Sequence, residues 1–214
     1  MGADNGKQIE AMILTKSAMN RATCVTAFVP KFSELVRFVS QSDGSPIPYV
    51  ISNQFNVLDF VRVKVLRWSP IGPQRENFLV DQSSFEVIGR CDKNVIRFIC
   101  DNHKSPRTPS FMEELGNKLD SADEYAHSLE ILPVKDLVIK KDQSFGKVAG
   151  KAFFRCAYGY RKWFSVTDPQ FDIRNKDMEI WEIGDAYIVV SIPKESYKDM
   201  GYYKFVAAIY PTEE

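Results

Sequence analysis

Apolar and charged positions alternate most clearly from Val57 onward. Val57, Leu58, Phe60, Val61, Val63, Val65 and Leu66 form a β-rich run that Arg62, Lys64 and Arg67 interrupt at intervals near two, the pattern of a half-buried strand. Ser69-Pro70-Ile71-Gly72-Pro73 forces a turn, and a polar segment, Pro73 to Asp81, follows it. Upstream, Ala11 to Leu14 leads into Thr15-Lys16-Ser17, and Thr23 to Val29 and Leu35 to Ser40 read as two more strands joined around Pro30. Residues 41 to 56, rich in Ser, Asp, Gly, Pro, Asn and Gln, read as a long connection, and Phe85 to Gly89 as a short closing strand.

Beyond Asp92 the spacing of Val95, Ile96, Phe98 and Ile99 predicts a short helix with these four on one face. Lys104 to Pro109 breaks it, Ser110 to Leu119 is a second helical candidate, and Ser121-Ala122-Asp123-Glu124 has the spacing of a capping box. β patterns then return at Leu129 to Leu132, Leu137 to Lys140, Lys147 to Tyr158, Tyr160 to Val166, Ala186 to Ile192 and Tyr202 to Tyr210, with Gly159 suited to a hairpin turn. The expected architecture is mainly β with short helices (α+β). It has two small barrels in tandem: residues 9–100 with a closing helix, a helical connector at 101–127, and residues 128–214. No sequence repeat links the two halves.

Composition narrows the function classes. With 44% hydrophobic and 13% aromatic residues in 214, each half can bury a core. Lys plus Arg and Asp plus Glu both number 28, so no global field draws in nucleic acid or an anionic membrane, and any such binding must come from a local patch. Cys24, Cys91, Cys100 and Cys156 show no paired spacing and no apolar leader precedes them, which fits reduced thiols in a cytoplasm. No apolar run approaches the roughly 18 residues that cross a bilayer, so a soluble protein is expected.

The order of five segments carries a resemblance: Ile13-Leu14-Thr15-Lys16-Ser17, Cys24-Val25, Val36-Arg37-Phe38-Val39-Ser40, Val57-Leu58-Asp59-Phe60-Val61-Arg62-Val63 and Pro73 to Asp81. It returns at Val166-Thr167-Asp168-Pro169, Val190-Ser191 and Tyr203 to Ile209. From about residue 12 to 210 the chain resembles bacterial proteins described as containing a dual OB domain. The resemblance implies two OB-like barrels, and no enzyme activity is established for that group. The polar positions matching its pattern are Lys16, Arg37, Gln74, Glu76, Asn77, Thr167, Asp168 and Lys204. One departure stands out: Asn20-Arg21-Ala22-Thr23 occupies the place where the family often has Gly-Gly-Tyr, which bears on the first turn.

Two groups of residues carry candidate chemistry. Gln74, Glu76 and Asn77 with Lys16 and Arg37 could read a base edge, a ribose or a phosphate; equally, Glu76 could pair with Arg37 or Lys16 while the amides tie a loop to the barrel. Lys135 to Lys162 holds eight Lys or Arg against two Asp, interleaved with Phe145, Phe153, Phe154, Tyr158 and Tyr160. Cations that track phosphates beside rings that stack bases suit single-stranded nucleic acid, although alternation should point many of those rings inward. On the binding reading Lys140, Lys141, Lys147, Lys151, Arg155, Arg161 and Lys162 contact phosphates, and Tyr158, Tyr160 or Trp163 stack on bases.

Other motifs are weaker. Asp168 before Pro169 suits a turn or helix start, Lys204 either lines a groove or is solvated, and Cys24 and Cys156 sit in apolar strands as small hydrophobes. Cys91, Cys100, His103 and His127 lack zinc spacing, and no phosphate loop is present, so neither metal nor cofactor is implied. The expectation is a non-catalytic binding protein for single-stranded DNA or RNA or a nucleotide-like ligand. The alternatives are a protein–protein interaction module of a bacterial defence or mobile-element system, and a nucleic-acid enzyme using Glu76, Asp81 or Asp168.

Overall fold

A computed structural model describes residues 6–19, 22–103, 110–122, 125, 127–143, 147–174, 176–198 and 200–212. Asn20 and Arg21, the break at Lys104 to Pro109, the acidic half of the capping box at Asp123 and Glu124, and Phe145 lie outside these residues.

The first half contains β1 (Gln8–Met19), β2 (Ala22–Val29), β3 (Glu34–Val39), β4 (Ile47–Pro48), α1 (Tyr49–Ser52), β5 (Asp59–Trp68), β6 (Asn77–Val80), β7 (Glu86–Arg90) and α2 (Val95–Asn102). β1 pairs with β2 and β5, β2 with β3, β3 in parallel with β6, and β6 with β5, so the ring β1-β2-β3-β6-β5 closes on itself. The second half contains β8 (Lys118–Leu119), β9 (Leu129–Asp142), β10 (Ala149–Cys156), β11 (Gly159–Val166), β12 (Ile180–Ser191), β13 (Tyr202–Tyr203) and β14 (Phe205–Pro211). Its closed ring, β9-β10-β11-β14-β12, repeats the same order, again with the third and fourth strands around the ring, here β11 and β14, parallel. Both halves are thus OB barrels.

Burial explains the strand patterns. In β5 the inward Val61, Val63 and Val65 are buried while Lys64 and Leu66 are exposed. β1 differs, because Ala11 and Ile13 face its own barrel core while Met12 and Leu14 join a separate cluster with Phe28, Leu129, Ile131, Val189 and Ala208 from both barrels. A strand buried on both faces reads as continuous apolar sequence, as Ala11 to Leu14 does. α2 completes this junction with Ile96 and Ile99.

Four sequence expectations are revised. Phe98 leaves the apolar face of α2 and is 60% exposed. The runs at 129–132 and 137–140 are one strand, β9; β10 pairs with it from Lys135 onward, so Pro133 lies where one edge of β9 lacks that partner. β12 begins at Ile180 rather than Ala186. Ser110 to Leu119 is not helical: Phe111 and Met112 sink into the second core, and β8 pairs with β13. Three of its carbonyls are satisfied from outside the segment, since Arg161 donates to Met112 O (2.5 Å) and Lys204 Nζ to Glu114 O (2.8 Å) and Gly116 O (3.1 Å). Among the described residues, no helix is long and apolar enough to cross a membrane.

Candidate functional site

The polar cluster foreseen around Pro73 to Asp81 assembles at the barrel junction. Parallel pairing sets Arg37 of β3 opposite Asn77 of β6, and Arg37 N donates to Glu76 O at 3.1 Å. The Arg37 guanidinium then lies 3.2 Å from Glu76 Oε1 and donates to Ser128 Oγ and Ser191 Oγ, both 2.9 Å away on the second barrel. Ser128 answers by donating its N–H (3.2 Å) and its hydroxyl to the Glu76 carboxylate. Gln74 Nε2 donates to Ile192 O (3.2 Å), and Asn77 Nδ2 donates to Gln74 Oε1 (3.3 Å). All four side chains are buried. Their hydrogen-bonding capacity is directed mainly at one another and at the second barrel, which clamps the two rings together.

The basic stretch forms the outer surface of β9, β10 and β11. Strict alternation along β11 would turn Lys162 and Trp163 to opposite sides. A register shift between Ala152 and Phe154 and a φ of 68° at Trp163 break the alternation, so Arg161 and Phe164 point inward while Lys162 and Trp163 both face out. Trp163 packs against Phe153 at 5.4 Å between centroids, and Lys140 Nζ lies 5.2 Å from the Phe153 ring. Lys151 donates to Ser165 Oγ at 2.8 Å, and Tyr160 is 58% exposed. Lys147 is exposed ahead of β10, and Tyr158 is exposed in the turn before Gly159, whose φ of 96° suits glycine.

Not every residue of that stretch is available. Arg161 is fully buried, with donors on Met112 O and Tyr160 O, so its guanidinium is withdrawn from any phosphate. Arg155 is neutralised by Asp136, its Nε 2.6 Å from Oδ2. Lys141 donates to Lys176 O and lies 3.7 Å from Glu179. Lys140, Lys147, Lys151 and Lys162 carry the remaining charge around the rings.

A family model described as the dual OB-containing domain matches residues 9–209. The chain belongs to this family. No curated protein matches it. Among solved structures, it is similar to one described as "Structural mimicry for functional antagonism" (14% identity over 97% of this chain and 91% of the other, TM-score 0.38). It is also similar to the Ifi202 HINa domain in complex with 20bp dsDNA (15% identity over 87% and 88%, TM-score 0.35).

The remaining family-pattern positions of this dual OB chain are spread along the junction and beyond it. Thr167 donates through N–H and hydroxyl to Val206 O (2.9 and 3.3 Å), tying the end of β11 to β14. Asp168 caps the 3-10 turn Pro169–Phe171, accepting from Gln170 N and from Ile209 N, each at 2.9 Å; burial pushes its carboxyl upward from the ordinary range. Lys204 is buried with its ammonium over the Phe164 ring, and burial lowers that ammonium to about 8. Lys16 donates to Phe55 O at 2.6 Å and lines an inter-barrel cleft with Asp168. Sequence reasoning missed the role of Phe153 as a partner of Trp163, and it missed Arg90, Asn53, Asn56 and Gln170, which line the same cleft as Lys16. Their scatter over more than a hundred residues leaves no local signal.

Proposed function

We propose that this dual OB protein binds single-stranded nucleic acid on the outer face of its second barrel. The observation that carries the reading is the bulge that presents Trp163 beside Phe153, with Lys140, Lys151 and Lys162 around the pair and Tyr160 exposed nearby. Aromatic rings on an OB face stack unpaired bases, while surrounding ammonium groups follow the phosphates without a sequence code. A duplex keeps its bases stacked on one another, so an aromatic platform favours single strands.

The carboxylates considered for catalysis have other engagements. Glu76 is held by Arg37 and Ser128, Asp168 by two backbone N–H groups, and Asp81 accepts from the N–H and hydroxyl of Ser83. These engagements favour binding over catalysis by these three groups.

The test is fluorescence anisotropy with labelled single-stranded DNA, single-stranded RNA and duplex, at low and near-physiological salt. The expected result is salt-sensitive binding that prefers single strands and falls with Trp163→Ala and with Lys140→Glu, Lys151→Glu and Lys162→Glu combined. Absence of binding at low salt overturns the reading, as does binding that these substitutions leave unchanged.

A further inference from the structure

The cleft between the barrels holds a second set of chemistry, separate from the aromatic face. It has a volume of about 600 Å³, the size range of small-ligand sites. A neighbouring hollow of about 610 Å³ beside α2 shares Arg90, Gln170 and Tyr210 with it. On the first-barrel wall, Asp59 acts as a buried anchor for cations: Oδ2 accepts from Asn56 N at 2.7 Å, and Oδ1 lies 3.4 Å from Arg90 Nη1. Arg90 therefore has one edge directed at Asp59 while its side chain remains 65% exposed.

Lys16 adds a half-buried ammonium, attracted by Asp59 and bonded to one carbonyl, that of Phe55. Burial lowers its pKa, as expected of a cation short of counter-charge. Three exposed amides, Asn53, Asn56 and Gln170, line the cleft, and their side chains make no hydrogen bond among the described residues. Tyr49, 39% exposed, supplies a ring at the same wall. The one carboxylate lining the cleft, Asp168, already accepts two backbone N–H groups.

We infer that the inter-barrel cleft binds a nucleotide unit, with its phosphate on Lys16 and Arg90 and its base or ribose read by the side-chain amides of Asn53, Asn56 and Gln170. Lys16 and Arg90 reach the cleft while Asp59 is buried behind them and Asp168 is taken up by two backbone N–H groups, so a phosphate entering there meets cations, and a guanidinium edge suits its paired oxygens. Primary amides offer donor and acceptor together, which is what a base edge requires. The unit can arrive as a free mononucleotide or as one residue of a strand.

The test is calorimetric titration of the full chain, carried out in the Trp163→Ala background to weaken binding on the aromatic face. AMP, GMP, CMP and UMP, inorganic phosphate and short mixed-sequence single-stranded DNA and RNA are titrated in turn. Binding of a mononucleotide that weakens about tenfold in Arg90→Gln and changes its base ranking in Asn53→Ala assigns a free nucleotide. Binding of the oligonucleotides alone, with the same sensitivity, assigns a nucleotide within a strand. Both substituted side chains are exposed, so the fold should survive, and a thermal melt checks it. The inference is overturned if nothing binds in this background, if Arg90→Gln and Asn53→Ala bind as well as their parent, or if inorganic phosphate binds as tightly as every nucleotide. Those outcomes leave the aromatic-face proposal standing, because that proposal is read from loss of binding on Trp163→Ala itself.

Discussion

Arg37 and Glu76 lie 3.2 Å apart at the barrel junction, and both also hold Ser128 of the opposite barrel. The pair is therefore an internal contact of the first barrel and half of the clamp on the second. Withdrawing two charges from water costs several kcal/mol, which their attraction and their added hydrogen bonds must offset.

Removing one partner strands the other. Arg37→Met is expected to destabilise the protein by about 3–5 kcal/mol, and Glu76→Gln by a smaller amount because an amide can still accept from Ser128. The double variant Arg37→Met/Glu76→Gln should cost less than the two single losses added together, because it leaves no unpaired buried charge. Urea unfolding of all four proteins in a double-mutant cycle checks this, and costs that simply add would mean that the two groups are not coupled.

Much of the fold is legible in sequence where a strand buries one face and exposes the other, as the alternation from Val61 to Val65 records. Long-range partners are what sequence conceals. Residues 110–119 are a helical candidate in sequence, yet carbonyls among them bond to Arg161 and Lys204, whose guanidinium and ammonium come from distant parts of the chain. The cluster of Arg37, Gln74, Glu76 and Asn77 is legible as a set that could satisfy itself, but nothing local says that Ser128, Ser191 and Ile192 complete it. On the basic face alternation fails at Trp163, because a bulge turns two successive side chains outward.

Lys204 predicts a pH dependence. Its ammonium titrates near 8 in the folded protein against 10.5 when free, so between those values the unfolded chain holds more protons than the native one. Stability must then rise with pH through that window, and the burden of a buried charge is fully present below about 8. Lys204→Met removes the titrating group while keeping a similar volume. The expected result is that the native protein gains urea resistance relative to Lys204→Met from pH 8 to 10.5. A constant difference would contradict the assignment.

Gly72 lies close against the backbone of the second barrel at Lys194. Its φ is 51°, and a Cβ added there would stand 2.6 Å from Lys194 O of the second barrel. Gly72→Ala combines left-handed strain with a backbone collision and is expected to cost about 2 kcal/mol. The damage should centre on the junction, so hydrogen exchange should accelerate around residues 191–194 and leave the β10–β11 hairpin protected. Uniform acceleration across both barrels would point to global destabilisation instead.

Three adjacent residues of β11 offer the sharpest separation of surface from core on the second barrel. If the outer face binds a strand, Lys162→Ala removes one phosphate contact and should lower the slope of log affinity against log salt by about 0.7. Trp163→Ala removes a stacking surface and should cost about 1–3 kcal/mol of binding while leaving that slope unchanged, because stacking releases no counterion. Arg161→Met should do neither: its guanidinium is buried and donates to Met112 O and Tyr160 O, so the loss appears as a lower melting temperature with the affinity of the folded protein intact. Salt titrations of anisotropy with melts of the same three variants distinguish the roles. A salt slope that falls for Arg161→Met as much as for Lys162→Ala would mean that the guanidinium reaches a phosphate, and that the strand does not run over the face built around Trp163.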